Sequence, residues 1–514
     1  MATINSLDVI VILGYLLLLA GIGFYFSRRQ TNLETFLMGG GRMSWLPVGL
    51  SLMAALNSGI DYLTQPSATI QYGLVLALGT LSWFAIYPWV SMVVFPFFRR
   101  LHVFSIYEYL EDRFDVRVRT LAAIIFIAWR LGWMATALYV PCLAINAASG
   151  GAVNLTLMIV IAGVLVTLYT MLGGIEAVVW NDVIQFSVMF FGLGATVWIV
   201  ATTASGGITG IWAAAEAGGR TTLWVPLADS LAGFFRQPMN VPALFSALIV
   251  GRMAQYTTDQ TMILRIKSTR TDREAKQAFI VNAAGDALWM LGLTFVGLAL
   301  FAYFQHTPAP EGLPPDRLLP YFMIKVFPAG TVGLVNAAIL AASLSSVDAA
   351  IHSGSSVMVV DLYNRIAKGR KLERSNPGTD PADDRAQVFA LRIGTIIMGV
   401  LGTTLACNVE GIGTLLEINK KVTDSFGGPL FGIFLLAMFS PRTSSAAALA
   451  GGAAGALAAY LVAYQSSIGF FWPSTFGLVA TLVVGTLASF VTPAPTGEAL
   501  TYTWRAIMRR PAAG

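Results

Sequence analysis

Apolar runs about as long as the roughly 20 residues that a helical span of a bilayer needs recur along the whole chain, separated by short polar connections. They predict roughly thirteen spans, beginning near Leu7, Trp45, Leu74, Thr120, Ala152, Ile175, Val241, Ala278, Gly333, Gln387, Thr414, Ala446 and Phe476. Alternate connections are basic. One set carries Arg28 and Arg29, then Arg99, Arg100, Arg113, Arg117 and Arg119. It continues with Arg265, Lys267, Arg270, Arg273 and Lys276, then Arg365, Lys368, Arg370, Lys371 and Arg374, then Arg442. The other set shows only Arg220, Arg236, Arg317 and Lys325. Basic loops stay on the cytoplasmic side, so the pattern predicts an all-α membrane protein with its N-terminus outside. An odd number of spans then brings the C-terminus, with Arg505, Arg509 and Arg510, inside.

Polar residues interrupt three of these runs. Between about Gly333 and Val360, Ser345, Ser346 and Asp348 lie where an ionisable group is costly unless something pairs with it. On a helix Ala342, Ser345, Ser346 and Ala349 share a face, so a carbonyl and two hydroxyls can converge on a hard cation; close helix packing and hydroxyls bonded to the preceding turn are the plainer account. In the second run, Asn57-Ser58-Gly59-Ile60-Asp61 followed by Gln65-Pro66 predicts a broken helix whose freed carbonyls face a cavity, against the alternative of a proline kink. A second interruption, Tyr256-Thr257-Thr258-Asp259-Gln260, comes late in the seventh run. With the leading span set aside, the breaks fall in the first and sixth of ten helices, the pattern of an inverted-repeat transporter with a site at the midplane. Other stretches are not spans. His102 to Val118 is too charged to cross and is expected at the inner surface. Ser205 to Pro238 and Gln305 to Thr331 are expected to cap the outer face, and Leu372 to Arg385 to form a mobile inner loop.

Composition narrows the function. Of 514 residues 56% are hydrophobic and 11% charged, against roughly 25% charged in soluble domains. The net charge of +5 reflects the loops and carries no nucleic-acid signal. Cys142 and Cys407 both fall in apolar runs and form neither a disulfide framework nor a zinc pattern. No secretory signal is expected, because the basic residues follow the first run instead of preceding it. A membrane enzyme would have to use His352-Ser353-Gly354-Ser355, whose nucleophile and base are neighbours on one helix, so the chain is read as a non-enzyme. A sensor is not expected either, since no signalling module is evident.

Several motifs together resemble the sodium:solute symporter family, which includes sodium/glucose, sodium/proline and bacterial sialic acid transporters. They are Ser51-Leu52-Met53-Ala54-Ala55, Tyr107 to Phe114, Gly173 to Gln185, Tyr256 to Gln260 with Arg265, Ala342 to Ser346, Asp361-Leu362-Tyr363 and Gly427-Gly428-Pro429-Leu430. The resemblance implies a LeuT-type core of two five-helix inverted repeats working by alternating access. Residues 1–30 would form a leading helix, 43–204 the first repeat, 205–238 an outer loop, 239–440 the second repeat, and 441–514 trailing helices with a cytoplasmic tail. It implies Na+ as the coupling ion, a small-molecule solute and the lipid bilayer as partners, no nucleic acid, a functional monomer and a place in the plasma (inner) membrane. The main sodium site would comprise Ala54, Asn57, Ala342, Ser345 and Ser346. Some members hold a second sodium, here matching Asp182, Ser345 and Asp348. Asp348 and Ala349 stand where those members carry serines, so Asp348 is compatible with a stronger cation site and with a proton carrier.

Positions where the family's sugar transporters carry a substrate-contacting Glu, Lys and Gln are Thr80, Ala287 and Lys420 here, which argues against a glucose-type pocket. Asn57, Asp61, Thr80, Arg130, Lys420 and Thr423 are the polar groups expected near the cavity, with Tyr256 matching an aromatic that closes the site on its inner side. Cations opposite Asp61 suit an organic anion, a zwitterion or a sugar derivative. Lys420 also has Glu417 within one turn, and Arg130 has possible scaffold partners. The function expected is sodium-coupled import of such a solute; the alternative is proton-coupled symport on the same fold.

Overall fold

The computed structural model describes residues 6–27, 33–101, 103–149, 151–370, 381–409, 415–495 and 497–509. Among the described residues its elements are helices throughout, with an isolated β-bridge joining Met43 to Thr269. At the centre lies helix Thr331–Val357, continued through a wider turn by Met358–Ala367. The most apolar window of this span is 94% buried, against 22% for Ser6–Tyr25 and 28% for Pro473–Val491, which separates a core helix from two peripheral ones. Small residues allow this centrality. At Gly192 a side chain would bring a Cβ within 2.3 Å of the Ala338 methyl, so the long helix Leu155–Thr203 can approach only as glycine. The perimeter is apolar and open, with Phe84, Trp198 and Val491 respectively 79%, 72% and 86% exposed, as a lipid-facing surface requires.

Ten helices among the described residues are long and apolar enough to cross a membrane. One of them is two runs joined, because Gly174 turns Leu155–Thr203 with φ 59° and ψ −167°. The predicted break in the second run is present: helices Trp45–Leu56 and Gly59–Tyr72 are separated by extended backbone at Asn57 and Ser58. Its chemistry is local. Asn57 closes the first half by donating its backbone N–H and Nδ2 to Met53 O at 3.1 and 3.0 Å. Ser58 opens the second, accepting from Ile60 N at 3.1 Å while Asp61 Oδ2 accepts from Ser58 N at 2.8 Å. Pro66 is buried within the second half and does not make the break, contrary to the weight the sequence reading gave it. The second interruption falls at Asp259, between Val241–Thr258 and Gln260–Ser268, where Asp259 Oδ1 caps Thr261 N at 2.9 Å.

The stretch expected at the inner surface holds helix Ile106–Arg113, but it is packed between other elements. Ile106, Tyr107, Tyr109 and Leu110 are buried, and Tyr109 meets Phe97 edge-on at 5.1 Å. Its acidic and basic residues are used internally. Arg113 donates to Ser440 O at 2.7 Å, and Glu111 receives Arg119 at 2.8 Å and Arg365 at 2.7 Å. Burial pushes the Glu111 carboxyl up, but the Arg365 and Arg119 guanidiniums outweigh it and hold the group below its ordinary value. Lys267 ties in the next loop through Leu101 O and Val103 O at 3.0 and 2.7 Å. The basic connections therefore gather at one end and staple it. At the opposite end Asp8 accepts from Gly330 N and Gly333 N at 2.9 and 2.7 Å, fixing the leading helix to the start of the central one. The long loop 205–238 packs there too, with Thr222 O accepting from Leu74 N at 3.1 Å. Most of the expected mobile loop, residues 371–380, lies outside the described residues; helix Pro381–Ala406 begins directly after it.

Two consequences can be measured. At Gly59 a Cβ would stand 2.5 Å from Ser343 Oγ and 2.7 Å from Ile339 O. Gly59→Ala is therefore expected to lower the melting temperature of the purified protein and to weaken its stabilisation by sodium, with normal sodium response counting against the tight packing. Glu108 accepts from Phe104 N and Ser105 N at 3.0 and 2.8 Å, yet its burial pushes the carboxyl up to about 7 from 4.5. A folded-state value raised above the unfolded one means that stability falls as pH rises from about 4.5 to about 7. Glu108→Gln should remove that fall, gaining on the order of 2 kcal/mol relative to the unsubstituted protein between pH 5 and pH 8 in denaturation midpoints.

Candidate cation site and solute cavity

The helix break and the central helix meet through oxygen atoms. Ser345 Oγ donates to Ala54 O at 2.8 Å and to Ala342 O at 2.9 Å. Ser346 Oγ reaches Asn57 O at 3.0 Å and Ala55 O at 3.3 Å. All five residues predicted for the main sodium site, Ala54, Asn57, Ala342, Ser345 and Ser346, are thus brought together, with Ala55 an addition that the sequence did not single out. Each of the six is at most 3% exposed. A hydroxyl that turns its hydrogen aside presents a lone pair, so the same set offers three carbonyl and two hydroxyl oxygens to a hard cation. Among the described residues no group of three or more His, Cys, Asp or Glu is placed to hold a metal, so the donors are neutral oxygens. Such donors suit a weakly held monovalent ion.

The residues predicted for a second ion have separate partners. Asp182 Oδ2 accepts from Ser51 Oγ at 2.5 Å and from Arg265 Nη2 at 2.9 Å, and Arg265 Nε donates to Ser51 Oγ at 2.7 Å. Asp348 Oδ2 accepts from the Tyr169 hydroxyl at 3.1 Å. Both carboxylates are fully buried, and Oδ1 of each lacks a hydrogen-bond partner. Ser345 is directed at Ala54 and bonds to neither.

Beside the break lies a cavity of about 120 Å³, against the roughly 10–15 Å³ of comparable volume that one water occupies. Asn57, Asp61, Lys420 and Thr423 line it, as expected. Three further charged residues line it that the sequence reading did not place there: Arg252, Asp286 and Asp424. Arg252 and Asp286 form a scaffold, with Nη2 to Oδ2 at 2.9 Å, Trp83 Nε1 donating to the same oxygen at 2.5 Å, and the guanidinium 4.0 Å from the Trp83 ring. Arg252 also bonds Ser82 Oγ and Gly79 O. A signal was available, since Asp286 is a carboxylate inside an apolar run and such groups face an interior or a cavity. The other predicted contacts are placed elsewhere. Arg130 pairs with Asp259 at 2.9 Å and stacks on Trp129 at 4.6 Å. Thr80 Oγ1 donates to Ala77 O at 2.8 Å. Tyr256 is fully buried against Phe279 at 5.0 Å, its hydroxyl accepting from Asn282 Nδ2 at 2.7 Å. None of these three lines the cavity.

Comparison with known proteins places this arrangement. The family model of the Sodium:solute symporter family matches residues 36–455. The sodium/sialic acid symporter SiaT of Proteus mirabilis is 30% identical over 492 residues, covering 93% of this chain and 94% of its own. The sodium-coupled monocarboxylate transporter 1 of Homo sapiens is 32% identical over 466 residues, covering 87% and 72% respectively. The structure of a Na+-coupled sialic acid symporter in a substrate-bound outward-open state, described as revealing a novel Na+-site, aligns with a TM-score of 0.83 at 29% identity over 96% of this chain and 99% of its own. Mhp1, a nucleobase-cation-symport-1 family transporter, aligns with a TM-score of 0.58 at 13% identity, a likeness of fold alone. The chain belongs to the sodium:solute symporter family, has its LeuT-like helical fold, and is a multi-pass membrane protein that couples sodium to the symport of a small organic solute.

Proposed function

We propose that a sodium ion bound by Ala54 O, Asn57 O, Ala342 O and the Ser345 and Ser346 hydroxyls closes the helix break onto the central helix and thereby completes the solute cavity. The observation that carries this reading is the 2.8–3.3 Å spacing between those hydroxyls and the carbonyls of the break. Asn57 also lines the cavity, so ion and solute share one residue. The solute is an organic acid whose carboxylate meets Lys420. Support comes from the relatives, a sodium/sialic acid symporter and a sodium-coupled monocarboxylate transporter, and from Lys420 itself. Among the described residues it makes no ion pair, and its ammonium lies 5.6 Å from the Phe471 ring. The unpartnered Oδ1 atoms of Asp182 and Asp348 support a second cation between them, as does the novel Na+-site named for the relative's structure.

The same proposal includes about thirteen spans, the N-terminus outside and the C-terminus inside, with repeats over 43–204 and 239–440 flanked by the leading helix, the outer loop 205–238 and the trailing helices. The protein acts as a monomer in the plasma membrane. Each positive charge carried inward down a 100 mV potential contributes about 2.3 kcal/mol to solute accumulation. In proteoliposomes, Ser346→Ala should raise the sodium concentration for half-maximal uptake at least about tenfold, equivalent to about 1.4 kcal/mol. Replacing sodium by choline at fixed pH should abolish uptake by the parent protein. A sodium requirement unchanged in the variant would remove Ser346 from the ion site.

A further inference from the structure

The charges lining the cavity fall into two groups. Arg252 and Asp286 satisfy each other at 2.9 Å, and Asp286 is further held by Trp83. Arg130, which does not line the cavity although Trp129 and Trp133 do, is engaged by Asp259 at 2.9 Å. The second group forms no ion pair among the described residues. It comprises Lys420, Asp61 and Asp424. Lys420 makes no ion pair among the described residues. Asp61 uses Oδ2 for the Ser58 cap, leaving Oδ1. Asp424 is only 3% exposed, lines the cavity, and its Oδ2 has no hydrogen-bond partner. Lys420 and Asp424 lie one helical turn apart on Leu415–Phe439, so they present opposite charges on one face without forming a salt bridge.

Two carboxylates and one ammonium do not suit a plain monoanion. Its carboxylate would reach Lys420 and leave the buried Asp424 oxygen unmatched, at the cost of an unsatisfied buried acceptor. We infer that the transported solute is a zwitterion, with a protonated amine held by Asp424 and Asp61 and a carboxylate held by Lys420. The inference rests on the organic-acid reading above and adds the amine. An ammonium brings up to three N–H donors, enough for both carboxylates and a neighbouring carbonyl. Its charge also favours the ionised form of a carboxylate buried beside it. An amine replaced by a hydroxyl loses that charge and two of the donors. Opposite charges at the two ends of the solute also fix its orientation between Lys420 and Asp424.

The test uses the purified full-length protein and pairs of acids that differ only in amine against hydroxyl: alanine with lactate, phenylalanine with phenyllactate, and 4-aminobutyrate with 4-hydroxybutyrate. Thermal stabilisation is titrated with each acid in sodium and in choline. At least one amine member should stabilise in a sodium-dependent manner, half-saturating about tenfold or more below its hydroxy partner. Asp424→Asn, nearly isosteric, should shrink that preference to less than about threefold while sodium alone still stabilises. Lys420→Gln should weaken both members of a pair alike. Stabilisation by hydroxy acids alone overturns the amine assignment and leaves the organic-acid reading standing. An amine preference that survives Asp424→Asn overturns the role given to Asp424. Sodium stabilisation with no response to any acid of either series overturns both readings, whereas loss of sodium stabilisation itself bears on the ion site.

Discussion

A backbone that stops being helical inside a bilayer leaves carbonyls with neither a helical partner nor water, and each costs free energy until something satisfies it. Here the satisfaction comes from another helix. The carbonyls of Ala54, Ala55 and Asn57 accept from Ser345 and Ser346 of the central helix, and Gly59 N donates to Ser343 Oγ at 3.2 Å. The broken helix is held in shape by those contacts. A cation inserted among the same oxygens binds best when both helices contribute, so it favours the state in which they lie together. A ligand shifts a conformational equilibrium only by its difference in affinity between states, and a site divided between two helices supplies that difference.

Around this seam the buried charges are arranged as a scaffold of pairs. Arg265 with Asp182, Arg119 with Asp361, Arg130 with Asp259 and Arg252 with Asp286 each lie within 2.9 Å. Removing one partner from such a pair strands the other charge, which commonly costs about 3–5 kcal/mol. These pairs therefore link helices that must keep a fixed relation. Against that background Lys420 and Asp424 of the cavity differ in kind, because among the described residues neither forms an ion pair, although they lie one helical turn apart.

Much of this was legible from residue order alone. Asn57-Ser58-Gly59-Ile60-Asp61 encodes its own interruption through an Asn closing one half and a Ser–Asp capping box opening the next, and the serines of the central helix carry the spacing that puts them on one face. The destinations of long side chains were less legible. Arg130 lay at the right depth for a solute contact, but the structure gives its guanidinium to Asp259, more than a hundred residues away in sequence. Asp259 caps the second helix break at the same time, a double use that no local pattern announces. Arg252 and Asp286 were missed for a related reason, since their pairing joins two helices and is visible only once those helices are packed. Pro66 shows the opposite error, a strong local signal that the surrounding helix absorbs.

On the proposed assignment, the shared position of Asn57 would give the coupling a physical form. Its carbonyl belongs to the oxygen cluster, while the residue also lines the solute cavity. An ion that fixes this carbonyl fixes part of the cavity wall, so the entropy of ordering that segment is lost on ion binding and need not be lost again when the solute enters. Linkage makes the effect reciprocal: whatever factor sodium adds to solute affinity, solute adds to sodium affinity. The carbonyls of Ala54 and Asn57 belong to opposite sides of that arrangement. Ala54 is buried within the first half-helix, its carbonyl accepting from Ser345, whereas Asn57 stands in the extended link between halves. If ion and solute bind as proposed, this link of extended backbone is the element through which occupancy of one site would be felt at the other.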